Sequence, residues 1–263
     1  MKRIMLTVAY DGSNYHGWQI QQGKETIEGV LNRCLTELTG EGIALIGASR
    51  TDSGVHALGN VAVFDTESPI PADKFSYALN RRLPQDIRIQ GAQEVPADFH
   101  PRHCESRKTY EYRIYNAPFP LPTARLYTYF TYVPLDVDLM SQGAAWLVGE
   151  HDFKSFCSVD TQAQTTVRRV DSVEVWEAAD VRHGQSRPAG MVTPRCGRQI
   201  VIRVTGRGFL YNMVRIIAGT LIEVGRGKIA ARQVKEILEA KDRQQAGPTA
   251  PACGLILVGY EFL

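Results

Sequence analysis

Two short apolar runs, Ile43-Ala44-Leu45-Ile46 and Val61-Ala62-Val63-Phe64, bracket a polar segment that reads Gly47-Ala48-Ser49-Arg50-Thr51-Asp52-Ser53-Gly54-Val55-His56-Ala57. Both runs have the length and residue types of strands, so the segment between them is expected to be a loop at the end of a sheet. Glycine lets such a loop turn tightly, while Arg50 and Asp52 bring opposite charges that solubility alone does not require. Two readings stand at this point: a surface hairpin with a solvated aspartate, or a loop that holds a site.

The segments around this loop follow the order strand, helix, strand, strand, helix, strand. Residues Ile4 to Tyr10 read as the opening strand, and Asp11-Gly12-Ser13-Asn14 as a turn. A loop rich in aromatic and hydrogen-bonding groups follows, Tyr15-His16-Gly17-Trp18-Gln19. Thr26 is placed to cap a helix whose apolar positions Ile27, Val30, Leu31, Cys34, Leu35 and Leu38 keep helical spacing, with Gly40 just past its end. Pro71 opens a second helix through Phe75, Ala78 and Leu79, and Pro84 stops it. Arg81 and Arg82 near its end have a sufficient explanation in the helix dipole.

The second half repeats the order loosely. Thr109 to Tyr115 alternates with period two, which puts Tyr110, Tyr112 and Ile114 on one strand face. A helix is expected over about 136–148, weakened by Gly143, with strands at 170–176 and 199–205 and a last strand over 254–260. The connection 178–198 carries Arg182, Arg187 and Arg195 among its basic residues against the single acid Asp180, and is either a solvated loop or a phosphate-contacting flap. The stretch 209–222 is the most apolar helical segment, yet Arg215 sits within it. A guanidinium in such a place needs a carboxylate, which is either a structural partner such as Glu223 or a functional one.

The whole reads as an α+β protein of two halves, 1–105 and 106–263, each close to a split β-α-β unit of RRM type with a largely antiparallel sheet and a cleft between them. With 263 residues, 44% of them apolar, the chain can bury a substantial core. Its 30 basic residues against 28 acidic ones give a net charge of only +2, so any nucleic-acid footprint must come from distribution. Five cysteines without a CxxC pair favour neither a disulfide scaffold nor a zinc ribbon, and a reducing cytoplasm is the expected location. The first apolar run is too short for a signal segment, and none is long enough to span a membrane.

The loop around Asp52 resembles the signature of the TruA-type tRNA pseudouridine synthases. The resemblance extends in order over Tyr10-Asp11-Gly12-Ser13, Tyr15, Gly17-Trp18-Gln19, Asp98-Phe99-His100, Tyr110 to Asn116, His151-Asp152-Phe153, Ser155-Phe156, Gly208 to Arg215 and Ala252 to Leu255. It implies isomerisation of uridine to pseudouridine at positions 38, 39 and 40 of the tRNA anticodon stem and loop, by a homodimer, with no cofactor and no metal. It also implies that Asp52 is the catalytic aspartate, Arg215 the arginine paired with it, Tyr110 the active-site tyrosine and Arg50 the arginine linked to extruding the target base. Tyr15, Trp18, Gln19, His56, Asn212, Arg182, Arg187 and Arg195 are the further candidates for RNA contact. Ser49 stands where the family usually has glycine, Ser53 where alanine is common and Glu28 where glutamine is usual.

Weighed as chemistry, pseudouridine formation breaks the N1–C1′ bond, turns the uracil and joins C5 to C1′. A carboxylate can serve by attack at C6 or C1′, or by taking a sugar proton. Tyr110 can stack on the base and offer a hydroxyl, or be an ordinary sheet aromatic; His56 can touch RNA or hold the loop. Competing classes are a non-catalytic RNA-binding module and a small-molecule α/β enzyme. The halves lack an RNP aromatic signature, and no Gly-x-Gly-x-x-Gly follows the first strand. His100, His103 and Cys104 suggest a metal, but further ligands are missing from the pattern.

Overall fold

A computed structural model describes residues 1–159, 161, 163–178 and 197–263. Arg182, Arg187 and Arg195 lie outside these. In chain order the elements are β1 (Lys2–Tyr10), α1 (Ile27–Thr39), β2 (Ile46–Gly47), β3 (His56–Thr66), α2 (Phe75–Asn80), β4 (Ile87–Val95), β5 (Ser106–Asn116), β6 (Tyr129–Thr131) and α3 (Val137–Ala145). They continue with β7 (Gly149–Asp152), β8 (Val167–Ala178), β9 (Arg198–Gly206), α4 (Met213–Gly225), α5 (Gln233–Ala240) and β10 (Leu255–Phe262). The class is α+β.

Two compact units emerge, Met1–Lys108 with Ile256–Leu263, and Thr109–Leu255. The sequence reading divides the chain at 105/106 and keeps the C-terminus in the second half. The last strand differs because it returns to the first unit, where it lies parallel to β3 with Ile256 opposite His56 and Leu257 opposite Ala57. Nothing in its apolar pattern specifies which sheet it joins.

The first unit has the strand order β4-β1-β3-β10, with β2 beside β3. Alternation in β1 buries Ile4, Leu6 and Val8, and the ring of Phe64 on β3 meets Phe75 on α2 edge-on, centroids 5.3 Å apart. The Thr26 hydroxyl accepts the Gly29 amide, and Gly40 ends α1 with φ of 74°, a left-handed conformation that costs glycine little. The stripe Ile27, Val30, Leu31, Cys34 and Leu35 is buried, as the spacing predicts. Each of its fully buried aliphatic side chains contributes about 1.5–3 kcal/mol.

The second unit has the order β5-β9-β8-β7, with β6 parallel to β5. Tyr110, Tyr112 and Ile114 of β5 are buried together, and between them Glu111 is buried with charge partners on both sides, Arg203 at 2.7 Å and Arg113 at 2.9 Å. Burial alone would raise the Glu111 pKa, but hydrogen bonds from the two guanidinium groups hold it below the usual range. Asp136 caps α3 by accepting the Leu139 amide at 2.9 Å. Gly143, a weak helix former, lies where a Cβ would come 3.2 Å from Val234 and 3.3 Å from Leu221, so it permits close approach of α3 to α4 and α5. The apolar stretch expected over 209–222 becomes helical only at Met213, because Asn212 takes φ 59° and ψ 7°, and Arg215 therefore sits in the first turn of α4.

Candidate active site

The loop between β2 and β3 is pinned on both sides of Asp52. Thr51 accepts the Trp18 amide at its carbonyl (3.0 Å), and its hydroxyl shares a hydrogen bond with Tyr10 (2.7 Å). Upstream, Asn60 donates to the Ser49 carbonyl at 3.1 Å. Downstream, the Val55 amide closes a turn on the Asp52 carbonyl at 3.1 Å, and Gly54 within it has φ of 77°. Asp52 is half-buried while its neighbour Thr51 is buried, so a fixed backbone presents a partly accessible carboxylate. Arg50 is exposed.

The aromatic loop Tyr15–Gln19 braces this arrangement from inside the first unit. Trp18 is 1% exposed and Tyr15 is 6% exposed. A Cβ at Gly47 would fall 2.3 Å from the Trp18 indole nitrogen, so the absence of a side chain there lets the ring lie against the loop. The Tyr15 carbonyl accepts the Gly54 amide at 3.3 Å and the Ser53 hydroxyl at 3.2 Å, and the Tyr15 hydroxyl donates to Asp86 at 2.7 Å. Burial, with the Asp86 bond next, pushes the Tyr15 phenol well up. The sequence reading groups Tyr15 and Trp18 with RNA contacts; their side chains lie in the core, and Gln19 beside them is exposed. His56, buried at the start of β3, accepts the Gly12 amide through Nδ1 at 3.1 Å.

In the second unit, the first turn of α4 holds Arg215 by its own donors. Nε donates to the Ala250 carbonyl at 2.7 Å and Nη1 to Asn212 Oδ1 at 2.8 Å, while Asn212 Nδ2 donates to Ser158 Oγ at 2.9 Å. Asn212 thus orients the guanidinium from within the protein. Glu223, the structural partner weighed for Arg215, is engaged by Arg226 at 2.6 Å and Lys228 at 3.2 Å. Tyr110 is 8% exposed, with its ring edge-on to Phe209 at 5.2 Å. Among the described residues no cluster of three or more His, Cys, Asp or Glu side chains is placed to hold a metal ion, and His100 and His103 stack on each other at 3.9 Å.

Comparison with known proteins adds a second line. The family model described as tRNA pseudouridine synthase matches residues 6–103 and 144–262, more than half of the chain. The tRNA pseudouridine synthase A of Acetivibrio thermocellus is 46% identical over 258 residues, 98% of each chain. That of Caldicellulosiruptor bescii is 46% identical over 262 residues, covering all of both chains, and that of Brevibacillus brevis 44% over 257 residues, 98% of each. The chain belongs to the tRNA pseudouridine synthase family.

In this tRNA pseudouridine synthase the sequence reading passed over three residues that shape the aspartate loop. Tyr260 on β10 is hydrogen-bonded to the hydroxyl of Ser49, the residue noted as a departure from glycine. Lys108 Nζ lies over the Tyr260 ring, 5.2 Å from its centroid. Burial, with the Arg102 charge next, pushes the Lys108 ammonium pKa down to about 8. Arg102 Nε donates to the Gly47 carbonyl at 2.7 Å. The signal in the sequence was slight: Tyr260 is one tyrosine on an apolar strand, and its pairing with Ser49 spans most of the chain. No helix among the described residues is long and apolar enough to cross a membrane.

Proposed function

We propose that this enzyme converts uridine to pseudouridine at positions 38, 39 and 40 of the tRNA anticodon stem and loop, with Asp52 as its catalytic carboxylate. The observation that carries the reading is the full-length similarity to tRNA pseudouridine synthases, at up to 46% identity over 98–100% of both chains. The pinned backbone around Asp52 is consistent with it, since a reacting carboxylate gains from a position set before substrate arrives.

In this reading the protein works as a cytoplasmic homodimer, and its halves are RRM-like units facing a shared cleft. Asp52 acts at C1′ or C6, or takes a sugar proton; each route needs the ionised form. Arg215 favours that form and holds the carboxylate by its planar fork, which is why its guanidinium is itself oriented by Ala250 and Asn212. Tyr110 stacks on the uracil and serves proton transfer at C5 during rearomatisation. Removing a base from a stem costs a few kcal/mol, and exposed Arg50 stabilises the vacated position. Gln19 and Arg182, Arg187 and Arg195 contribute RNA contacts, whereas Tyr15, Trp18 and His56 serve by fixing the loop.

Modification mapping tests the assignment. In tRNAs from a strain lacking this protein, uridines at 38 to 40 should be unmodified; purified wild-type protein should restore pseudouridine there and Asp52→Asn should not. Persistence of the modification in that strain, with the purified enzyme acting in another arm of tRNA, would overturn the substrate range.

A further inference from the structure

Beside β7 and β8 the second unit carries an open pocket of about 490 Å³, lined by Glu150, Val167, Arg168, Arg169, Arg207 and Gly208. Its lining includes three arginines and one acidic residue. We propose that this pocket binds a phosphodiester of the substrate RNA backbone, an inference that rests on the tRNA-modifying function above.

The arginines are positioned rather than merely present. Arg168 donates from Nη1 to the carbonyls of Thr165 at 2.9 Å and Val167 at 2.6 Å, which fixes the plane of its guanidinium. Desolvation lowers its pKa, so a bound anion relieves a cost that the folded chain already carries. The Arg207 amide donates to the Arg169 carbonyl at 3.1 Å, which ties Arg207, just past the end of β9, to the backbone of Arg169 on β8. A Cβ at Gly206 would lie 2.7 Å from that same carbonyl, so the turn that brings Arg207 alongside needs glycine. Arg169 is itself engaged by Asp171 through Nε at 3.1 Å, an exposed contact that an RNA phosphate can replace or join.

Arginine is suited to phosphate because its fork offers paired N–H donors to two oxygens. The ligand is identified as a polymer phosphate by continuity with the site: Gly208 at the pocket edge precedes Phe209, whose ring touches Tyr110. A backbone phosphate here would help hold the nucleotide chain near the tyrosine proposed to stack on uracil. The pocket is open, as a continuous strand requires, and phosphate contacts of this kind position the nucleic acid without reading its sequence.

The test uses two double variants of the full-length protein, Arg169→Gln with Arg207→Gln and Arg169→Lys with Arg207→Lys, all four changes being at exposed positions. Unmodified tRNA binding is measured across a salt series, and turnover is measured separately. The glutamine variant should lose affinity about tenfold near 0.15 M salt and flatten the log–log salt dependence by about 0.7–0.9 for each phosphate it no longer neutralises, with turnover at saturating tRNA within about twofold of wild type. The lysine variant should keep most of the slope. Unchanged affinity and slope in the glutamine variant would overturn the proposal, as would a loss of turnover with binding intact. Calorimetric binding of inorganic phosphate to wild type but not the glutamine variant, with the tRNA slope unmoved, would reassign the pocket to free phosphate and also overturn it. Because binding is read without turnover, a wild-type protein that binds tRNA through this pocket yet makes no pseudouridine would sink the activity reading and leave the pocket standing.

Discussion

Asp52 and Arg215 carry opposite charges and are held in opposite ways. The aspartate is positioned through its backbone: Thr51 and Ser49 before it and Val55 after it are tied by hydrogen bonds to Trp18, Tyr10, Asn60 and the turn itself. Arg215 is positioned through its side chain, whose Nε and Nη1 are fastened to Ala250 and Asn212. The difference suits the roles proposed above for the two groups. A reacting carboxylate gains from a loop whose backbone is fixed before substrate arrives, and a guanidinium with five donors can give some to the scaffold and still orient an anion.

The largest effects are expected at the two charges themselves. Asp52→Asn leaves the backbone bonds of the loop in place, so single-turnover conversion of unmodified tRNA should fall by about 10⁴-fold or more, with the unfolding midpoint close to wild type. Near-normal conversion would remove Asp52 from its role. Arg215→Ala deletes the side-chain bonds to Ala250 and Asn212. Its expected loss is about 2–3 kcal/mol of stability for the charged hydrogen bonds, together with a fall in kcat, and Arg215→Lys should recover part of the stability but little of the rate. A thermal unfolding curve identical to wild type for Arg215→Ala would contradict the side-chain anchoring.

Smaller changes probe the backbone half of the contrast. Gly47→Ala places a methyl group against the Trp18 ring and should destabilise by about 1–3 kcal/mol while lowering kcat more than tRNA affinity. An unperturbed kcat in a folded Gly47→Ala protein would mean that the brace does not set the loop. Lys108, over the Tyr260 ring, gives the smallest effect and a pH signature. Its folded-state pKa of about 8 lies below the ordinary lysine value of 10.5, so the folded state disfavours the charged ammonium. That cost is fully present below pH 8 and is relieved as pH rises toward 10.5, where the unfolded chain also loses the proton. Denaturant unfolding should therefore show wild type gaining stability relative to Lys108→Met between about pH 8 and 10. A stability difference independent of pH would show that Lys108 keeps its proton as readily in the fold as in the unfolded chain.

Features that depend on near neighbours were legible in the amino-acid order. The cap at Thr26, the left-handed stop at Gly40 and the buried stripe of α1 are read from residues a few positions apart, because helix geometry is periodic and its termini need particular partners. The alternation that buries Tyr110, Tyr112 and Ile114 was legible for the same reason, and the loop around Asp52 stood out by its composition. Where distant segments meet is a property of the folded chain. Folding buried Trp18 against Gly47, brought Tyr260 to Ser49, gave Glu111 to Arg203 and Glu223 to Arg226, and returned the last strand to β3 in the first unit. A tryptophan in a polar loop has the same local pattern whether it faces RNA or the core. Which side it faces is settled by the space left at Gly47, a contact that no local periodicity encodes.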